Sequence, residues 1–106
     1  MHVQVNTGSS VEGDQRLEEI VTAEIQDRLG RFREDVTRVE VHITDENAHK
    51  GGSDDKKCVM EARVEGMQPT TVTHNAGTVA EAITGAAQKL RRALDSSLGK
   101  RNRHRK

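Results

Sequence analysis

The sequence predicts an α+β domain of order β-α-β-β-β-α, a four-stranded mixed sheet with two amphipathic helices packed on one face. Three observations predict it. Apolar and polar residues alternate in four short segments, apolar residues recur at helical spacing in two longer ones, and 106 residues leave room for one compact domain. Apolar and charged residues each make up 32 % of the chain. The apolar fraction is lean, but its periodicity is what a disordered chain lacks.

The first strand is read over Met1 to Thr7, with Val3 and Val5 on one face and His2, Gln4 and Asn6 on the other. Gly8-Ser9-Ser10 ends it. Asp14 is an N-cap type, and Leu17, Ile20, Val21, Ile25, Leu29 and Phe32 follow as one helical stripe that frays near Gly30. Val39, Val41 and Ile43 then alternate with polar residues in a second strand over about Val36 to Thr44. One helix between two strands implies a crossover and parallel pairing.

The stretch Asp45 to Lys57 has no periodicity, is charged throughout and contains Gly51-Gly52, so a mobile hairpin loop is expected there. A third strand places Cys58, Met60, Ala62 and Val64 on one face. Gly66 and Pro69 mark the turn to a shorter fourth strand over Thr70 to Asn75. Thr78 and Glu81 form a capping box, and a helix follows from Val79 to about Leu98 with Val79, Ile83, Ala86, Ala87, Leu90, Leu94 and Leu98 as its core stripe. Residues 1–98 form the domain in this reading, a dsRBD-like sandwich, and residues 99–106 a basic flexible tail.

A net charge of zero hides a division along the chain. Residues 86–106 carry eight Lys/Arg against one acid, a net +7, whereas residues 1–85 carry nine against sixteen, a net −7. One end is drawn to polyanions while the rest of the surface repels them. Lys89, Arg91 and Arg92 stand on the helix, and Lys100, Arg101 and Arg103 extend the charge into the tail. These six residues are the candidate nucleic-acid contacts. The one aromatic residue, Phe32, belongs to the first helix's stripe, which disfavours single-strand readers that stack bases and points to the phosphates and shape of folded RNA.

Other classes find less support. No phosphate-binding glycine loop, nucleophile elbow, HExxH or CxxC occurs, so no catalytic residues, small-molecule substrate or cofactor are assigned, and a non-enzymatic protein is expected. Cys58 falls on an inward strand face, where a thiol packs as a small hydrophobe. Asp45, Glu46, His49, Asp54 and Asp55 crowd one loop, but their spacing fits no metal template and Lys50, Lys56 and Lys57 compete for them. No metal site is assigned. A lone cysteine, no secretion signal and no stretch of about 20 apolar residues make a reducing cytoplasm the expected location, with no membrane partner.

Element order and one motif carry a resemblance. The β-α-β-β-β-α order, a first helix ending near Leu29 to Phe32, and Lys89-Leu90-Arg91-Arg92-Ala93-Leu94 together resemble the short form of the hibernation-promoting factor and ribosome-associated inhibitor A family, also described as ribosome-associated sigma-54 modulation proteins. The last stretch is similar to the family's K-L-x-R-x-L. The likeness implies a factor on the small ribosomal subunit, in the mRNA and tRNA channel, that holds idle ribosomes inactive under stress or in stationary phase. It also implies that basic residues of both helices face rRNA. Lys89 and Arg92 match the motif, and Arg91 enters through its charge alone. Ala80, Thr84 and Gln88, where relatives carry an aromatic and acids, and the long 45–57 loop depart from the pattern. A monomer is expected, without the long form's dimerisation domain. The competing reading is a protein-interaction or metal-responsive regulator acting through the acidic 45–57 loop.

Overall fold

A computed structural model describes residues 1–8, 11–46 and 55–104, with residues 100–104 described by backbone alone. Its elements are β1 (His2–Thr7), α1 (Gln15–Leu29) running into a 3-10 turn (Gly30–Phe32), β2 (Val36–Asp45), β3 (Lys56–Val64), β4 (Thr70–Ala76) and α2 (Val79–His104). The strands form one sheet in the order β1-β2-β3-β4. β1 pairs with β2 in parallel, as a crossover through α1 requires, and the remaining pairs are antiparallel.

Register explains the core. Val3 lies opposite Val39 and Val5 opposite Val41, while Val39, Val41 and Ile43 face Ala62, Met60 and Cys58 across the next ladder. All of these β2 and β3 residues are fully buried. Period-2 alternation therefore puts these apolar side chains on one face, with Val59 alone among the apolar residues of β3 on the other, and burying each larger one contributes about 1.5–3 kcal/mol. Val21, Ile25 and Leu29 of α1 and Ala82, Ile83, Ala86, Ala87, Leu90, Leu94 and Leu98 of α2 close that face.

The opposite face is polar and largely paired with itself. The Arg38 guanidinium bonds both Gln4 and Glu40, and Arg63 pairs with Glu61 at 3.1 Å. Its charges nearly cancel, so it offers no concentrated field.

Both helix starts follow the residues that predict them. The Asp14 carboxylate accepts from the Leu17 amide at 2.9 Å. The Thr78 hydroxyl accepts from the Glu81 amide at 3.1 Å and donates to the Glu81 carboxylate at 3.0 Å. The box thus closes through the two side chains, a tighter loop than the reciprocal backbone capping expected.

Several elements differ from the sequence reading. Ile20 is 47 % exposed, because Val21, Ile25 and Leu29 at four-residue intervals already span the contact with the sheet and leave their neighbour on the flank. Ala82 takes the place expected of Val79, which is only half-buried. Gly30 is right-handed, with φ −56°, and the chain tightens into the 3-10 turn that buries Phe32. Gly66, at φ 80°, is where the chain needs a left-handed residue, between β3 and β4. The hairpin strands reach further than expected, since Asp45 and Lys56 pair as their outermost rung. Most of the expected mobile loop, residues 47–54, lies outside the described residues. α2 continues to His104, beyond the Leu98 where the apolar spacing stops. Lys and Arg are good helix formers and their cations complement the carbonyl end of the helix dipole.

α2 approaches β4 closely at one point. A side chain at Gly85 would overlap the His74 imidazole, whereas Gly30 and Gly77 have open space around them. Gly→Ala in a helix ordinarily stabilises by about 1 kcal/mol. In urea unfolding, Gly85→Ala is expected to destabilise the wild-type background and to stabilise a His74→Ala background, an inversion of sign that steric conflict at this contact alone produces.

Candidate nucleic-acid interface

Rigid placement of the cations follows from the apolar stripe on α2. Leu90 and Leu94 are fully buried, so the residues between and beside them turn outward, and Lys89, Arg91 and Arg92 are all exposed. They divide between two directions. The Lys89 ammonium reaches sideways to donate to the Thr73 carbonyl of β4, an edge strand, at 2.9 Å. Arg91 and Arg92 instead border a groove of about 300 Å³ shared with Arg28, Gln88 and Asp95.

That groove joins the two helices. Arg28 in the last turn of α1 ion-pairs with Glu24 of its own helix. Arg31, in the 3-10 turn, stacks over the Phe32 ring at 5.2 Å and crosses to Asp95 of α2 at 3.4 Å. Arg31 and Asp95 are both exposed, so their pair adds little stability but sets where the guanidinium points. Arg33 follows Arg31 and is exposed too. The result is a cationic face in which Arg28 and Arg31 from the end of α1 adjoin Arg91 and Arg92 of α2 around Asp95.

Of the six residues singled out in the sequence, the structure thus brings Arg91 and Arg92 together and holds Lys89 on the β4 side. The side chains of Lys100, Arg101 and Arg103 lie outside the described residues, although their backbone continues α2. Arg28, Arg31 and Arg33 were not singled out. Cations at a helix end are the ordinary complement of its dipole, and only the pairing of the helices reveals that Arg28 and Arg31 adjoin α2.

The acidic loop has a different character. Lys56 binds Asp45 and the buried Asp55, each at 3.2 Å, and Lys57 pairs with Glu46 at 3.3 Å. Asp45 and then Asp55, as hydrogen-bonding carboxylates, hold the Lys56 ammonium above its ordinary range. Lysines therefore occupy the carboxylates at the base of the loop. His49 and Asp54 lie outside the described residues, among which no cluster of His, Cys, Asp or Glu could hold a metal ion. Nor is any described helix long and apolar enough to cross a membrane.

A β-α-β-β-β-α sandwich whose helix layer ends in a cationic face is the class of molecule these features define. Residues 4–102 match the model of the Sigma 54 modulation protein / S30EA ribosomal protein family, and the chain belongs to that family. The N-terminal domain of Thermus thermophilus Protein Y is similar in structure, with TM-score 0.71 and 16 % identity over 91 % of this chain and 98 % of that one. A ribosomal subunit interface protein from Coxiella burnetii superimposes with TM-score 0.73 and 13 % identity over 93 % and 99 % of the two chains. At these identities the likeness is one of fold. No curated protein sequence matches the chain.

Cys58 is fully buried beneath the helices, and burial pushes its thiol from an ordinary 9.0 up to about 12. Iodoacetamide at pH 8 is therefore expected to leave the folded protein unmodified and to label it once urea unfolds it, as read by mass spectrometry. Folding favours the neutral thiol, so its contribution is complete below about pH 9 and is lost as pH rises toward 12. Chemical denaturation across that window reads the loss.

Proposed function

We propose that the chain is a cytoplasmic ribosome-associated factor that docks its cationic helix face on rRNA of the small subunit, near the mRNA and tRNA channel, and keeps idle ribosomes inactive or protected. The observation that carries this reading is the joint arginine face of α1 and α2 in a member of the Sigma 54 modulation protein / S30EA ribosomal protein family. Phosphates are recognised by guanidinium groups held in fixed positions, and Arg91 and Arg92 are fixed by the buried leucines between which they stand. Residues 1–85 carry a net −7 even with the arginines that end α1 counted, so the rest of their surface would turn away from rRNA and approach is oriented as well as attractive. No step of this role needs a catalytic residue or a cofactor.

Gradient sedimentation of a growth-arrested lysate tests it. Wild-type protein is expected in the ribosomal fractions at low salt and at the top of the gradient at high salt, since each phosphate that the protein neutralises steepens the salt dependence of binding by roughly 0.7–0.9 in log–log slope. Arg91→Glu/Arg92→Glu is expected at the top at both salts, and wild-type protein that never sediments with ribosomes removes the proposal. Asp95→Asn deletes the acid within the face, and it is expected to stay bound to a salt concentration that releases wild type.

A further inference from the structure

The two edges of the sheet differ in how they are guarded. On β4 the Lys89 ammonium occupies the Thr73 carbonyl, whereas β1 carries no Lys, Arg, Asp, Glu or Pro and follows β2 in unbroken register. Charges, prolines and bulges are the devices that keep an edge strand from pairing with another chain, and β1 has none of them. Val3 and Val5 lean on the core but stay half-buried, so apolar surface remains along this edge.

The hydrogen-bond parity of β1 shows what the edge offers. The Gly8 amide donates to the Ile43 carbonyl at 2.9 Å, one residue past the rung where Thr7 faces Ile43. Alternate residues of a parallel strand bond the same neighbour, so Gln4 and Asn6 share the parity of Gly8 and turn toward β2. The amides and carbonyls of Val3 and Val5 therefore point away from the sheet.

An antiparallel copy of β1 satisfies all four groups. With a two-fold axis beside Gln4, Val3 of one copy lies opposite Val5 of the other, His2 opposite Asn6, and Gln4 opposite Gln4. Both Val3–Val5 rungs exchange two backbone bonds, and the valines cover one another on the helix side. The helix layer suits the same axis. Gly13, ahead of α1, packs on Thr7 at the end of β1, and Gly30, behind α1, shares a hollow with Met1, Gln26 and Arg33, so α1 runs opposite to β1. The flank of α1 on this side carries Glu18 and Glu19 toward its start and reaches Arg33 past its end. A two-fold axis sets the acidic end of one flank toward the arginine end of the other. We infer that β1 is a self-pairing edge, through which two copies of the chain join their four-stranded sheets into one. The arginine face lies on the side of α1 toward α2 and stays open, so the inference does not depend on the role given under Proposed function.

Sedimentation equilibrium tests the pairing. Wild-type mass is expected to rise from one chain toward two between about 10 µM and 1 mM, the weak regime of interfaces below about 1,200 Å². Val3→Pro removes an amide that points outward and spares the ladder to β2, so it is expected to keep its circular dichroism spectrum and to stay a single chain throughout. Arg91→Glu/Arg92→Glu is expected to pair as wild type does. Register is read by oxidation. Gln4 meets itself at a non-hydrogen-bonded rung, where Cα atoms lie about 4.5 Å apart, so Gln4→Cys is expected to form a disulfide-linked dimer, and Asn6→Cys to do so far more slowly. Wild-type protein that is a single chain at about 1 mM overturns the inference, as do pairing that survives Val3→Pro in a folded protein and equal cross-linking of the two cysteine variants. Pairing abolished by about 0.5 M salt overturns it too, since that marks the cationic helix of one copy on the acidic body of another.

Discussion

The apolar face of the sheet, built from Val39, Val41, Ile43, Cys58, Met60 and Ala62, has to be sealed from water, and two helices side by side are needed to cover four strands. Most other features of the molecule depend on that requirement. α2 meets it with Ala82, Ala86 and Ala87 beside Ile83, Leu90 and Leu94, and the alanines allow a close approach that Gly85 extends as far as the His74 ring. A helix so tightly seated cannot roll. Its outward arc is fixed, and the cations on that arc keep fixed spacings without contacts of their own to hold them.

Packing the helices together also sorts charge. Acids gather toward the start of α1, where Glu12, Asp14, Glu18 and Glu19 outnumber Arg16, and arginines gather from Arg28 to Arg33 at its end. The same bias follows from the helix dipole, which favours anions at the amide end and cations at the carbonyl end. What the dipole does not supply is the meeting of that end with the cations of α2. Arg31 to Asp95 is the crossing that shows it, since it sets the end of α1 against the middle of α2. A charge asymmetry that began as a property of the chain becomes a directional surface of the fold.

Much of this was legible in the residues because it depends on local rules. Alternation in β2 and β3 marked the buried face residue by residue, and Asp14, Thr78 and Glu81 marked both helix starts. Ile20 was misplaced for a physical reason: helical spacing gives a stripe, but the width of that stripe depends on how deeply the neighbouring element lets the helix sink. The helix beyond Leu98 was missed because apolar periodicity ends where core contacts end, while backbone helicity does not. Arg28 and Arg31 were invisible as partners of α2, since no pattern within either helix says which faces adjoin.

Lys89 shows why a residue's charge and its place must be weighed separately. In sequence it matches the family motif together with Arg92 and adds its charge to a cationic helix. In the fold its ammonium already donates to the Thr73 carbonyl of an edge strand, so any phosphate must compete with that bond or share the remaining donors. Arg91 and Arg92 point instead into the groove between the helices, and their planar forks suit phosphate oxygens better than a point charge does. In the role proposed above, the weight of phosphate contact therefore shifts from Lys89 toward the arginines, while the Lys89 bond covers the open edge of β4, where unpaired backbone groups would otherwise invite another strand.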